Sequence, residues 1–284
     1  RGLWTFDDGD LSALVGRDLA YLDGAGGATE GATEFGSTLS FEIDGPRGET
    51  SIVMKVGRSG ANPDFGYLLN HGITPNGGGS HLNQYALVFD AYFSGKGAGW
   101  ASLANLDVSG DGDVFWRRND GGLGQGGGGY EPDDPEVKVN REQWHRIILN
   151  FDLAAGTYDK YVDGVFHSSQ ANGGLDGRQA ARPSIWLFND NDGENGEVYL
   201  DSLAIYDRPL SPNEARALGG VNSACMPPVI PPPAPIRGLW QFDNGDLTAT
   251  IGKNLAYLDG EEGATQGATE FGSTVASLLA RPFI

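Results

Sequence analysis

Two short stretches of the chain crowd carboxylates around glycine. In FNDNDGENGE (188–197), Asp190, Asp192 and Glu194 stand at alternate positions around Gly193, and in DVSGDGD (107–113), Asp107, Asp111 and Asp113 do much the same. Carboxylates spaced this way on a tight turn can converge on a hard divalent cation, which takes oxygen ligands. The first stretch resembles half of an EF-hand loop, but the residue at the loop's twelfth position is Asp201 rather than a bidentate glutamate, so the match is incomplete. The plainer reading of both is a solvated acidic hairpin tip. A second set has different chemistry. His71, Trp100, Trp116, Arg117, Arg118 and Tyr130 fall in or near long loops. Flat aromatic faces stack on sugar rings, and forked polar groups fix hydroxyls, so together they form a candidate glycan-binding rim. Taken singly, each reads equally well as packing beneath its own loop. Trp4, Trp144 and Trp186 read as core. No nucleophile elbow, phosphate loop or His-Glu-x-x-His motif is present.

The bulk of the chain narrows the classes of partner. Its 284 residues carry 38 Asp and Glu against 19 Lys and Arg, a net charge of −19. Such a body is repelled by phosphate backbones and anionic lipid surfaces, which argues against nucleic acid and membrane as partners. No apolar run approaches the roughly 20 residues of a membrane span. The single cysteine, Cys225, excludes an intramolecular disulfide. The chain opens on Arg1 without methionine or signal sequence and reads as a processed or excised piece.

The elements that must position these residues are almost all strands. Tyr85, Leu87, Phe89, Ala91 and Phe93 alternate with a set that is nearly as apolar, the pattern of a central strand covered on both sides. The stretch from His145 to Phe151 behaves alike. Thr157–Val162 and Val165–Ser168 flank Asp163-Gly164, a two-residue hairpin signal. Val198–Tyr206 is a further strand. One helix is predicted: Ser211 as N-cap, Pro212 at the first position, Glu214 completing a capping box and Gly219 past the end. Many strands, abundant glycine and one short helix predict an all-β, antiparallel two-sheet jelly-roll sandwich.

The chain also repeats itself. Residues 1–38 and 237–274 align without gaps with 28 identities in 38. Between them, CMPPVIPPPAPI (225–236) holds six prolines, which favour extended polyproline II and a semi-rigid spacer. The expected organisation is a module over 1–220, a linker over 221–236, and a partial second copy of the module's first strands over 237–284. A partial copy invites an assembly reading in which Trp240, Phe242, Leu255, Tyr257 and Phe271 enter a neighbouring subunit by strand exchange. The competing reading is a tandem-module chain seen only in part.

Three segments in order carry a family resemblance: GLWTFDDG (2–9), WHRIILNFDLAAGTYDKYVDGVFHSS (144–169) and GEVYLDSLAIYDRPLSPNEARALGG (196–220). They are the opening strand, the Trp-His strand with its Asp-Gly hairpin, and the last strand with a capped exit helix. Together they resemble the laminin-G-like modules of the concanavalin-A-like class, and NHGITPNGGGSHLNQYALVFD (70–90) is similar to the variant appended to secreted bacterial hydrolases. The resemblance implies a jelly roll that is extracellular, non-catalytic and directed to glycan or matrix. It also implies a structural calcium ion where first and last strands meet, which points to Asp7 and Asp201 with carbonyls around Gly24. Glucanases of this class use Glu-x-Asp-x-x-Glu; here Glu42 and Asp44 are followed by Arg47, so the motif fails and both read as solvent-facing strand residues. His81, Gln84 and Tyr85 match no lyase pattern, and His145 reads as structural. A divergent polysaccharide hydrolase or lyase and a self-assembling fibre subunit stand as alternatives.

Overall fold

The computed structural model describes residues 1–222, other than 59, 98, 110, 111, 118, 126–128, 172 and 173, together with Leu255. The chain divides into two units, Arg1–Ile230 and Pro231–Ile284, and the fold below is that of the first. Cys225, Trp240, Phe242, Tyr257, Phe271, Asp111 and Arg118 lie outside the described residues.

Among the described residues, fourteen strands form two antiparallel sheets. They are β1 (Gly2–Trp4), β2 (Ala20–Tyr21), β3 (Thr33–Ser37), β4 (Ile52–Val56), β5 (Tyr67–Asn70), β6 (Gln84–Gly97), β7 (Trp100–Asn105), β8 (Val114–Arg117), β9 (Leu123–Gly124), β10 (Trp144–Asp152), β11 (Thr157–Val162), β12 (Val165–Ala171), β13 (Ser184–Leu187) and β14 (Gly196–Tyr206). The eight-stranded sheet runs β12-β11-β10-β6-β14-β4-β3, with β1 also on β14; the six-stranded sheet runs β2-β5-β13-β7-β8-β9. This is the expected jelly-roll sandwich of the concanavalin-A-like fold, with neighbours far apart in the chain.

The alternation in β6 has a direct cause. Tyr85, Leu87, Phe89, Ala91 and Phe93 face the main core between the sheets. Ala86 and Val88 face a second apolar layer that the exit helix α2 (Pro212–Leu218) closes with Ala215 and Leu218. Tyr92 packs in a third, small layer with Tyr199 and Trp144. Both faces of the strand are apolar because both are covered. Tyr85, Phe151 and Tyr158 stack across three strands at centroid spacings of 4.5 and 4.4 Å, pairs that add to simple burial.

The local signals are realised as read. Asp163 and Gly164 both take positive φ, 52° and 79°, as a type I′ turn demands. Ser211 Oγ accepts from the Glu214 amide while Glu214 Oε2 accepts from the Ser211 amide at 2.8 Å. His145 is structural: one ring nitrogen meets Asp163 Oδ2 at 2.7 Å and Nε2 accepts from the Asn140 amide at 3.0 Å, tying the start of β10 to the hairpin turn.

Three expectations are corrected. A second short helix, α1 (Ala28–Ala32), is present; Asp23 Oδ2 accepts from the Thr29 amide at its start, doing from outside what its Gly27 N-cap cannot. Glu42 and Asp44 are exposed as expected, but they sit in and after a turn rather than on a strand, with Glu42 at φ 58°. Trp186 is only half-buried, its neighbours Ile185 and Leu187 taking the core side of β13.

Candidate functional site

Register brings Trp100 and Arg117 together. The two are direct cross-strand partners in the β7–β8 pair, so their side chains share one face of the six-stranded sheet. Trp116, one residue earlier, points the opposite way. It is 2% exposed, stacks on Phe93 at 4.5 Å and donates from Nε1 to the Val139 carbonyl at 2.9 Å. Its assignment to a binding rim is therefore corrected: it is core.

Tyr130 packs against this pair but is only 7% exposed, so its assignment to a binding rim is corrected as well: it braces the pair from within. Its ring lies edge-on to Trp100 at 5.0 Å, and the Arg117 guanidinium sits 5.2 Å from the Tyr130 ring and 6.0 Å from that of Trp100. Arg117 Nε donates to Asp120 Oδ1 at 2.7 Å, and its Nη2 pairs with Asp120 and Glu131. Two carboxylates thus fix the guanidinium over the two rings. Burial pushes the Tyr130 phenol up to about 12, with a further push from Glu194 and an opposing pull from Arg117 and Arg178. These groups share one electrostatic neighbourhood.

The acidic loop is pinned to the same strands. Asp190 Oδ1 accepts from the amides of Asp192 and Glu194, each at 3.0 Å, which bends the loop around Gly193 at φ 94°. The Ser102 amide in β7 donates to the Glu194 carbonyl at 2.8 Å, and the Gly112 amide approaches Asp190 Oδ2 at 3.4 Å. Oxygens of Asp190, Asp192 and Glu194 all lie within 4.8 Å of one another. The donor set is all oxygen and threefold anionic. That fits calcium rather than a softer metal, with loop carbonyls and water to complete six to eight ligands.

A buried polar row runs inward from this loop. Arg178 donates from Nη2 to the Gly112 carbonyl at 2.9 Å and from Nε to Asp113 Oδ1. Gln125 Nε2 reaches the same oxygen at 3.4 Å, Gln179 Nε2 bonds Gln125 Oε1, and Tyr85 Oη donates to the Gln179 carbonyl at 2.6 Å. Asp113 is 0% exposed, and burial pushes its carboxyl up to about 6 against the pull of the Leu106 amide and Arg178. The Tyr158 hydroxyl, fully buried within the field of Tyr130 and Asp113, has no hydrogen-bond partner among the described residues. Of this row the sequence reading named Asp113 as a metal ligand and Tyr85 as a strand residue that matches no lyase pattern, but neither as part of a polar row. Arg178 and Gln179 sit in GLDGRQAAR (174–182) and Gln125 among glycines, with no periodic signal to mark any of them.

The other candidates lie elsewhere. His71 meets the Arg182 carbonyl through Nε2 at 2.7 Å and accepts from the Ile73 amide through Nδ1 at 3.0 Å, so both ring nitrogens are spent on holding loops together. Gly24 takes φ 80° in a turn in which its carbonyl accepts from the Gly27 amide. Asp7 is exposed, and its charge reaches Asp201. Both oxygens of Asp201 accept from the Arg47 guanidinium, at 2.9 and 3.2 Å. An arginine thus supplies the positive charge where first and last strands meet.

Residues 80–216, which span this whole cluster, match the family model Laminin_G_3, described as the Concanavalin A-like lectin/glucanases superfamily. Over those residues, and in its two-sheet architecture, the chain is similar to that superfamily. Among solved structures, the chain is similar to domain 4 of AbnA, a GH43 extracellular arabinanase from Geobacillus stearothermophilus, in complex with arabinotriose. That likeness covers 77% of this chain and 97% of that one, at 19% identity and TM-score 0.48. It is similar to the binding domain of Paraclostridial Mosquitocidal Protein 1 over 66% of this chain and 45% of that one, at 15% identity and TM-score 0.43. A Trypanosoma rangeli sialidase matches 58% of this chain, which spans 29% of the sialidase, at 15% identity and TM-score 0.41. Likenesses this distant concern general outline only and carry no argument about a ligand. No curated protein matches the chain.

Proposed function

We propose that the module is a non-catalytic, extracellular glycan-binding domain whose ligand rests on Trp100 beside Arg117, with the buried Tyr130 bracing both. One observation carries the reading: the Trp100 ring and the Arg117 guanidinium, 6.0 Å apart, are cross-strand partners on one face of the six-stranded sheet, braced by the buried Tyr130 ring 5.0 and 5.2 Å from them. Rings give a sugar its stacking surface, and a fixed fork of N–H donors reads its hydroxyls. Arg178, 42% exposed and paired with Asp113, is a second guanidinium whose charge, like that of Arg117, acts on Tyr130. The acidic loop Asp190, Asp192 and Glu194 holds a calcium ion in this reading. The ion fixes the loop that fastens to β7 through Glu194, and so fixes the wall next to Tyr130. The superfamily match supports both the sugar ligand and an extracellular setting, because modules of the laminin G type typically work outside the cell.

A glycan array probed with the intact chain, with and without EDTA, tests this. Binding of one sugar class, lost in Trp100→Ala, is the expected result. Absence of binding to every glycan class, or binding untouched by Trp100→Ala, would overturn it.

A further inference from the structure

A cavity of about 620 Å³ opens between the β11–β12 hairpin and α2, walled by Asp159, Tyr161, Val165, Phe166, Pro212 and Arg216. Its size falls within the roughly 300–1,000 Å³ of small-ligand pockets. Register explains its aromatic wall. Tyr161 and Phe166 are cross-strand partners beside a bulge that leaves His167 without an opposite residue, and a bulge re-aims the side chains next to it. The two rings meet edge to face at 5.5 Å. Tyr161 is buried in the apolar layer beneath α2, whereas Phe166, 38% exposed, is the most exposed aromatic residue among those described. Its neighbour Val165 is exposed as well.

The frame of the cavity is fixed. Gly164 at the hairpin tip abuts the helix end: a Cβ there would stand 2.9 Å from Gly219 Cα and 3.1 Å from the Arg216 carbonyl oxygen. Asp163, which also borders the cavity, turns one oxygen to the Arg146 amide at 2.9 Å and the other to His145 at 2.7 Å. Arg146 in turn donates to the Leu218 carbonyl at 2.7 Å, at the end of α2. Hairpin and helix are thus tied to β10 before any ligand arrives, which lowers the ordering penalty of binding.

Two charged groups on the walls remain free. The Asp159 carboxylate and the Arg216 guanidinium make no hydrogen bond or ion pair among the described residues, with each other or with any third group. Arg1, Arg47, Arg117, Arg146, Arg178 and Arg208, by contrast, are each paired with a carboxylate. A free acceptor and a free forked donor of opposite charge, beside an open aromatic face, match a neutral ring that carries hydroxyls. Its C–H face covers Phe166, and its hydroxyls donate to Asp159 and accept from Arg216. An acid would be opposed by Asp159, and an amine by Arg216.

We infer that this cavity is a second binding site of the module and takes a single neutral sugar unit. It lies beside α2 on the outer side of the eight-stranded sheet, whereas Trp100 and Arg117 lie on the outer side of the six-stranded one. The two sites share no residue, so this inference stands apart from the Trp100 reading. At the per-atom binding energy of drug-sized ligands, the roughly 12 non-hydrogen atoms of a hexose give a Kd on the order of 1 mM. Solution NMR reads such binding, whereas a washed array does not.

The test uses the intact chain with Trp100→Ala, which removes the other face from the readout. The probes are the methyl glycosides of glucose, galactose, mannose, xylose and arabinose. Saturation-transfer NMR should show at least one of them bound, with amide shift changes at Val165, Phe166 and Arg216. On this background Phe166→Ala and Arg216→Ala should each weaken that binding roughly tenfold, with thermal melts unchanged. Arg216 is exposed on a helix, where alanine is well tolerated, so this variant decides the matter if Phe166→Ala fails to fold. No methyl glycoside bound by the Trp100→Ala chain, or binding untouched by Arg216→Ala, would overturn the inference. So would methyl glucuronide or methyl glucosaminide bound more tightly than methyl glucoside. Failure of the Trp100 reading, seen on the array with the unsubstituted chain, leaves these results unaffected.

Discussion

Arg178 closes over the carboxylate of Asp113, its Nε on Oδ1 and its Nη2 2.9 Å from the neighbouring Gly112 carbonyl. The pair joins a buried carboxyl to a side chain that remains 42% exposed, and so couples the interior to the proposed binding face. Burial nevertheless dominates, and Asp113 is pushed up from 3.8 to about 6. The folded module thus keeps a proton on Asp113 up to about pH 6 that the unfolded chain releases near pH 3.8. The contribution of Asp113 to stability is complete below the lower value and is lost as pH rises through the upper one. Replacing Asp113 by Asn removes this slope. Urea unfolding at about pH 4.5 and about pH 7 should show the difference shrink by about 2 kcal/mol in Asp113→Asn. An unchanged slope would refute it. Glu214 acts in the opposite sense: held at about 2, chiefly by Arg208, its contribution is present above 4.5 and is lost as pH falls towards 2.

Trp100 and Trp116 sit close in the chain and should separate cleanly on mutation. Trp116→Ala empties a core site stacked on Phe93 and should cost about 3–5 kcal/mol of stability by urea titration. Trp100→Ala should cost little stability but weaken glycan affinity roughly tenfold or more by calorimetry, the size expected from one lost stacking surface.

Asp90 and Arg146, both 0% exposed, form a two-pronged ion pair at 2.7 Å beneath α2. Arg146 also donates to the Leu218 carbonyl at 2.7 Å, and Ser202 to Asp90 at 2.9 Å. Asp90→Ala strands a buried guanidinium and should cost about 3–5 kcal/mol, whereas replacing both partners by apolar residues of similar volume should recover much of that loss. A double variant no better than the single one would show that the helix-end contact of Arg146 matters more than the pair.

If the acidic loop holds calcium, the ion stabilises the folded state by mass action, about 2.7 kcal/mol at a hundredfold excess over Kd. Thermal melts should rise with calcium, fall with EDTA and become insensitive to both in Asp190→Ala. Identical melts in calcium and EDTA would remove the ion from the site.

Much of the scaffold was legible because its rules are local. The Asp163-Gly164 turn needs only two residues that tolerate positive φ, and the Ser211–Glu214 box only a three-residue spacing; both formed where read. The alternation of β6 showed a strand covered twice, although not that α2 supplies one cover. The errors were positional. Trp116 looked like a loop aromatic because one step of register, invisible in a glycine-rich stretch, decides which side of the sheet it faces. Asp201 looked like a ligand because its partner, Arg47, lies 154 positions away.

The sequence by itself determined the strand pattern, the turns, the capped helix and the internal repeat, since each depends on residues within a few positions or on comparison of the chain with itself. Only the tertiary structure decided which charged and aromatic side chains meet. Trp100, Tyr130 and Arg117 come from a strand, a later loop and a second strand, and Arg178 reaches Asp113 across 65 positions. Such meetings follow from a strand order that ignores chain order, and no local spacing encodes it.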